Sequence, residues 1–159
     1  MIRLALYQPD IPQNTGTILR LGACLGAPVD IIEPAGFPWS DRAFRRAGMD
    51  YLDHVEIARH DSFGAFLKVL RSEDRRLVLL TTRAALPYTE HRFGETDTLL
   101  FGRESAGVPD TVHAAADARI LIPMRPGLRS LNVAIAAAVV LSEGLRQTGS
   151  LPAPGSAPA

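Results

Sequence analysis

A single cysteine, Cys24, stands in a chain of 159 residues, so no internal disulfide can close and no cysteine-based metal site can form. Set among apolar residues in a helical stretch, Cys24 reads as a small core residue. The four histidines, His54, His60, His91 and His113, lack a metal-ligand spacing such as H-x-x-x-H, and no metal is expected. His60, followed by Asp61, reads as the start of a helix. Neither G-x-G-x-x-G nor G-x-x-x-x-G-K-[ST] occurs, which removes the usual phosphate-cradling loops. "GRESAG" falls short of a nucleophile elbow, because Arg103 and not glycine stands two residues before Ser105. Net charge is missing too. Seventeen basic residues balance seventeen acidic ones, so contact with nucleic acid must be local, and a second copy meets little repulsion. The apolar run after Asn132 is shorter than the roughly 20 residues that cross a bilayer. "MIRLALYQPD" turns polar too soon for a signal peptide, so a soluble cytoplasmic chain without a membrane partner is expected.

Aromatic residues make up only 6% of the chain, yet 47% is hydrophobic, so Leu, Val, Ile and Ala must build the core. Apolar or alternating runs bounded by turn residues predict strands at "IRLALY", "VDIIE", "RLVLLTT", "TLLFG" and "ARILIP", with a weaker one at "HVEIA". Helical patterns lie between them. "NTGTILRLGACLG" sets Ile18, Leu21 and Leu25 on one face and stops at Gly26; "SDRAFRRAG" opens on a capping Ser40 and ends at Gly48. "DSFGAFLKVL", from Asp61, turns Phe63, Phe66, Leu67 and Leu70 inward, and a last helix over 131–147 carries Leu131, Ile135, Ala138, Leu141 and Leu145. This alternation predicts an α/β fold with a mainly parallel sheet, in one domain over 1–147. "RAALPYTEHRFGE" has no period and reads as an exposed loop, and 148–159 reads as a disordered tail rich in Pro, Gly, Ala and Ser.

Three segments share one design: residues 6–20, 99–109 and 121–132. Each leaves a strand, exposes backbone and carries a few polar side chains into a helix. In an open α/β sheet, ligands bind where such loops converge at the carboxyl ends of strands. Gly102 permits close backbone approach. Glu104 is an acidic acceptor there. "IPM", Ile122, Pro123 and Met124, offers backbone groups beside apolar side chains, which suits an adenine ring and a thioether better than a phosphate.

"NTGTILR", "GRESAGVP" and "IPMRPGLRSLN" resemble the three motifs of the SPOUT-class RNA methyltransferases, most nearly the small tRNA 2′-O-methyltransferases of the wobble cytidine or uridine. The likeness extends through "IIEPAGFPW", "RRAGMDY" and "RHDSF". It implies helices on both faces of the sheet, a deep C-terminal trefoil knot, and a homodimer formed through the first and last helices. It also implies S-adenosylmethionine held by Leu80, Thr81, Gly102, Glu104, Ile122, Pro123, Met124, Ser130 and Leu131, with tRNA as substrate. Arg20 is the residue the family implicates in catalysis, acting across the dimer. A guanidinium rarely surrenders its proton, so a phosphate clamp suits it better than a base. Asn14 and Asn132 would orient the hydroxyl or the loop, and Ser130 would do the same or cap the last helix. Glu104 reads as a loop brace before a base. RNA-contact candidates are Arg42, Arg45, Arg46, Arg83, Tyr88, His91, Arg92, Arg125 and Arg129. Methylation of a ribose elsewhere in tRNA or rRNA, or RNA binding without catalysis, are the alternatives.

Overall fold

In a computed structural model describing residues 1–46 and 50–155, seven parallel strands form one sheet in the order β3-β2-β1-β6-β4-β7-β5. The strands are β1 (Arg3–Tyr7), β2 (Val29–Ile32), β3 (Ile57–His60), β4 (Arg76–Leu80), β5 (Leu86–Pro87), β6 (Asp97–Phe101) and β7 (Ala118–Leu121). The helices are α1 (Pro12–Leu25), α2 (Asp41–Arg46), α3 (Phe63–Ser72), α4 (Asp110–Ala115) and α5 (Val133–Thr148). Successive side chains on a strand face opposite ways, and the two faces are covered by different helices. Leu4, Leu6, Leu99 and Phe101 meet α1 and α5 through Ile18, Leu19, Ala137, Val140 and Leu141. Ala5, Tyr7, Leu77, Leu79 and Leu100 meet α3 and α4 through Phe66, Leu70 and Val112. Helices therefore lie on both faces, as expected. Among the described residues no helix is long and apolar enough to cross a membrane.

Several expectations need correction. Cys24 is exposed: α1 buries Thr15, Gly16, Ile18, Leu19 and Gly22, and Cys24 lies on the other side of the cylinder from Gly22. The cap of α3 is Ser62, whose hydroxyl accepts from the Ala65 amide, one residue past Asp61. His60 ends β3, where its Nε2 meets Asp30 Oδ1 at 2.8 Å. The weak strand expected at 54–58 is present as β3 but shifted: Asp50–His54 is a 3₁₀ turn, and the strand begins three residues late, at Ile57. The segment expected as an exposed loop contains β5 and a 3₁₀ turn at Tyr88–Glu90, and it buries His91 and Phe93. On α5 the inward stripe is Ala134, Ala137, Val140, Leu141 and Leu145, while Leu131 and Ile135 are 43% and 55% exposed. The predicted stripe was right at its C-terminal end and one residue out of phase at its start.

The helix α5 runs to Thr148 and stops at Gly149, whose φ of 67° is left-handed. Residues 151–155 are exposed and belong to no helix or strand. The end of α2 at Gly48, the Arg46 side chain and tail residues 156–159 lie outside the described residues.

Candidate active site

Strands β1, β6, β4 and β7 are consecutive in the sheet, so the loops leaving their carboxyl ends lie side by side. They enclose a cavity of about 480 Å³. Leu80 and Thr81 line it from the end of β4, and Gly102 and Glu104 from the loop after β6. Ile122, Met124, Ser130, Leu131 and Asn132 line it from the loop after β7, and Asn14 reaches it from the first turn of α1. Pro123 and Arg20 are not in its wall.

The loop after β6 turns back on itself. Arg103 N–H donates to Gly107 O at 3.0 Å and Gly107 N–H to Arg103 O at 2.8 Å. A Cβ on Gly102 would come within 2.8 Å of the Gly107 backbone, so glycine is required by that approach. Gly107 itself has a left-handed φ of 64°.

A continuous set of hydrogen bonds joins the three loops. The Asp10 amide donates to Glu104 Oε2 at 3.1 Å and the Glu104 amide to Asp10 Oδ1 at 3.2 Å, while the Ser105 hydroxyl donates to Asp10 Oδ2. Asn14 Nδ2 donates to Glu104 Oε1 at 3.4 Å, and Asn132 Nδ2 donates to Asn14 Oδ1 at 2.9 Å. Asn132 Oδ1 then accepts from the Ala134 and Ile135 amides, capping α5. Asn132, not Ser130, is therefore the cap. Both amide side chains are oriented unambiguously, because each uses its oxygen and its nitrogen for different partners.

The two carboxyl groups in this cluster are driven apart. The adjoining Glu104 carboxyl holds Asp10 down to about 2, and the Ser105 hydroxyl, the Glu104 amide and Arg103 add to it. Burial, then the bond to Asp10, pushes the Glu104 carboxyl above the ordinary glutamate range. Glu104, accepting from Asp10 and Asn14, thus serves as a brace between loops.

Asp10 was missed as a site residue; its signal is an acidic side chain after Pro9, between the strand and α1. Arg103 also lines the cavity, and its position beside Gly102 was the available clue. Arg20 lies elsewhere. Its guanidinium stacks 4.4 Å from the Tyr51 ring centroid and donates from Nη2 to Tyr51 Oη at 3.3 Å. It is six residues beyond Asn14 on α1, about 9 Å along the axis and turned well away from the cavity.

Of the RNA-contact candidates, His91 is buried against Asp97 and cannot take that role. Arg45 is engaged by Asp53 at 3.0 and 2.7 Å, and Arg83 by Asp110 at 3.0 Å. Arg42, Arg92, Arg125 and Arg129 are exposed.

A family model described as the SpoU rRNA Methylase family matches residues 1–142. The chain belongs to the SpoU rRNA methylase family. Within that family it is 67% identical over 148 residues to the tRNA (cytidine(34)-2'-O)-methyltransferase of Beijerinckia indica subsp. indica, covering 93% of this chain and 92% of that protein. A solved structure described as "Structural insights into the 2-OH methylation of C/U34 on tRNA" superposes with a TM-score of 0.85 at 45% identity, over 92% of this chain and 90% of the other. An AdoMet-bound rRNA methyltransferase of Sinorhizobium meliloti superposes with a TM-score of 0.82 at 28% identity, over 91% of this chain and 56% of its own.

Proposed function

We propose that this SpoU-family chain is a cytoplasmic S-adenosylmethionine-dependent tRNA methyltransferase that modifies the ribose 2′-hydroxyl of the wobble nucleotide, cytidine or uridine, as a homodimer. The observation that carries the reading is the hydrogen-bonded series Glu104–Asn14–Asn132 at the rim of the cavity, in a chain 67% identical to a protein named for that activity.

The cavity suits the cofactor. Its volume, about 480 Å³, lies in the range of small-molecule sites. Leu80, Phe101, Ile122, Met124 and Ala136 supply apolar walls for an adenine and a thioether, and Asn14, Arg103, Glu104, Ser130 and Asn132 are among the polar groups that share the lining. Bound S-adenosylmethionine supplies an electrophilic methyl group on a positively charged sulfur.

The chain's own residues hold and align. The apolar walls exclude water from the reacting oxygen. Asn132, with its oxygen committed to α5 and its amide to Asn14, fixes the loop that carries Ser130. Ser130 is an exposed wall residue, and in this reading its hydroxyl meets the ribose. Alignment of the hydroxyl is the main task, since transfer requires an in-line approach.

Arg20 lies outside its own cavity, which is compatible with a role in the partner subunit's site as a clamp on the phosphate next to the reacting ribose. Tyr51 holds the guanidinium ready. The exposed Leu128, Leu131 and Ile135 at the start of α5 are the apolar surface that a second copy would cover. A trefoil knot at the C-terminus is supported by the path of the chain: β7 inserts between β4 and β5, and α5 then packs back across the sheet against Ile2, Leu4 and Leu99.

The test is to incubate the protein with methyl-labelled S-adenosylmethionine and unmodified bulk tRNA, then digest and map the label. A 2′-O-methyl group on nucleotide 34 is expected. Label on another ribose would move the target, and failure to bind the cofactor would end the proposal.

A further inference from the structure

Arg103 and Glu104 are the two charged side chains in the cavity wall among the described residues. They differ in how well they are partnered. Glu104 accepts from Asp10 and Asn14. The Arg103 side chain has one hydrogen bond among the described residues, from Nη1 to Gln8 Oε1 at the limiting distance of 3.5 Å. Its Nε is buried without a partner and lies 3.7 Å from Asp10 Oδ2, too far for a hydrogen bond. Asp10 is already occupied, Oδ1 by the Glu104 amide and Oδ2 by the Ser105 hydroxyl. Structural arginines in this protein are satisfied differently: Arg76 reaches Asp97 at 2.7 and 2.8 Å and the Arg92 carbonyl at 2.8 Å.

The arginine is nonetheless held in place. Its backbone is pinned on both sides by the bridge to Gly107. Gln8 sits at φ 43°, a left-handed position that non-glycine residues seldom adopt, and from there presents its oxygen to the guanidinium. A rigidly mounted, 37% exposed guanidinium with spare donors in a mostly apolar cavity is built to receive an anion.

We propose that Arg103 is the anion-binding residue of this cavity and that its ligand is the α-carboxylate of S-adenosylmethionine. The assignment rests on the reading above that the cavity takes this cofactor. The carboxylate is the cofactor's single anionic group, and the planar guanidinium fork matches it with two parallel N–H donors. An RNA phosphodiester offers similar oxygen chemistry. The carboxylate is favoured because Arg103 directly follows Gly102 and shares the wall with Leu80 and Phe101, inside the cavity.

Calorimetric titration of the full chain with S-adenosylhomocysteine, which keeps the carboxylate, and with methylthioadenosine, which lacks it, separates the possibilities. Arg103→Gln should weaken S-adenosylhomocysteine by about 10- to 100-fold and leave methylthioadenosine within about twofold. Arg103→Lys should recover part of the loss, because an ammonium supplies the charge without the fork. A loss shared equally by the two ligands would make Arg103 a structural brace and overturn the proposal. Unchanged binding of both, with a raised KM for tRNA, would assign the residue to an RNA phosphate and overturn it as well. A wild-type chain that binds neither ligand would instead remove the cofactor reading on which it rests.

Discussion

Asp10 and Glu104 show how position alone differentiates two carboxylic acids. Asp10 collects donors and is held low; Glu104, more deeply placed and facing Asp10, is pushed above the ordinary glutamate range. Between them they tie the loop after β1 to the loop after β6, and Asn14 extends the tie to Asn132. Arg20 stands outside this cluster, parked on Tyr51. Because it touches no wall of the cavity, Arg20→Ala should leave S-adenosylhomocysteine affinity unchanged while methyl transfer falls by about 10²-fold or more through lost alignment. Calorimetry and a transfer assay on the same preparation check both halves. Most of these residues could be named from their motifs, but Asp10 could not, because nothing in "QPDIP" tells that it faces a glutamate 94 positions away.

The element that connects site and core is α5. Its first turn is capped by Asn132, and its buried face is small: Ala134, Ala137 and Gly144 let it lie close to the sheet. A Cβ on Gly144 would meet Ile2 Cδ1 at 2.8 Å and the Phe93 ring at 3.3 Å. Asn132→Ala removes the cap and the bond to Asn14 together. Stability should drop by about 1 kcal/mol, measured as a shift of the urea midpoint. Transfer should fall further than that loss explains, since Asn14 is freed as well. The helix was legible from its apolar run, but its phase was not: Leu131 and Ile135 fit a helical stripe and yet face outward. Periodicity shows that a face is apolar and is silent about which apolar face the sheet takes.

Across the whole molecule, Asp97 is a junction. It sits fully buried at the start of β6, bonded to Arg76 on β4, to His91 and to the Gly94 amide. The His91 carbonyl and Phe93 amide are in turn held by Gln147 of α5. Burial opposes the Asp97 charge, but the bonds from His91, Arg76 and Gly94 outweigh it and hold the carboxyl below its ordinary range. The native state therefore binds fewer protons than the unfolded chain in the acid range, so this contribution is complete above the ordinary aspartate pKa and fades as pH falls through the lower native value. Asp97→Asn should cost about 2–3 kcal/mol at neutral pH, and the gap to wild type should close on acidification, as urea titrations at several pH values would show. Association belongs to the same scale. Ile135→Glu places a charge on the exposed apolar start of α5 and should convert a dimer to a monomer in light scattering, with loss of transfer.

The sequence alone determined the alternation of strands and helices, the parallel sheet and the three loops that bear the chemistry, because these follow from local periodicity, turn residues and motif order. Most residues named from those loops do line one cavity. Tertiary structure alone decided which strands are neighbours, and hence that the loops after β1, β6, β4 and β7 meet. It also exposed Cys24, buried His91, seated the cap on Asn132 and set Arg103 beside Asp10 with a donor to spare. Those outcomes depend on contacts between residues far apart in the chain, and no local pattern encodes a distance.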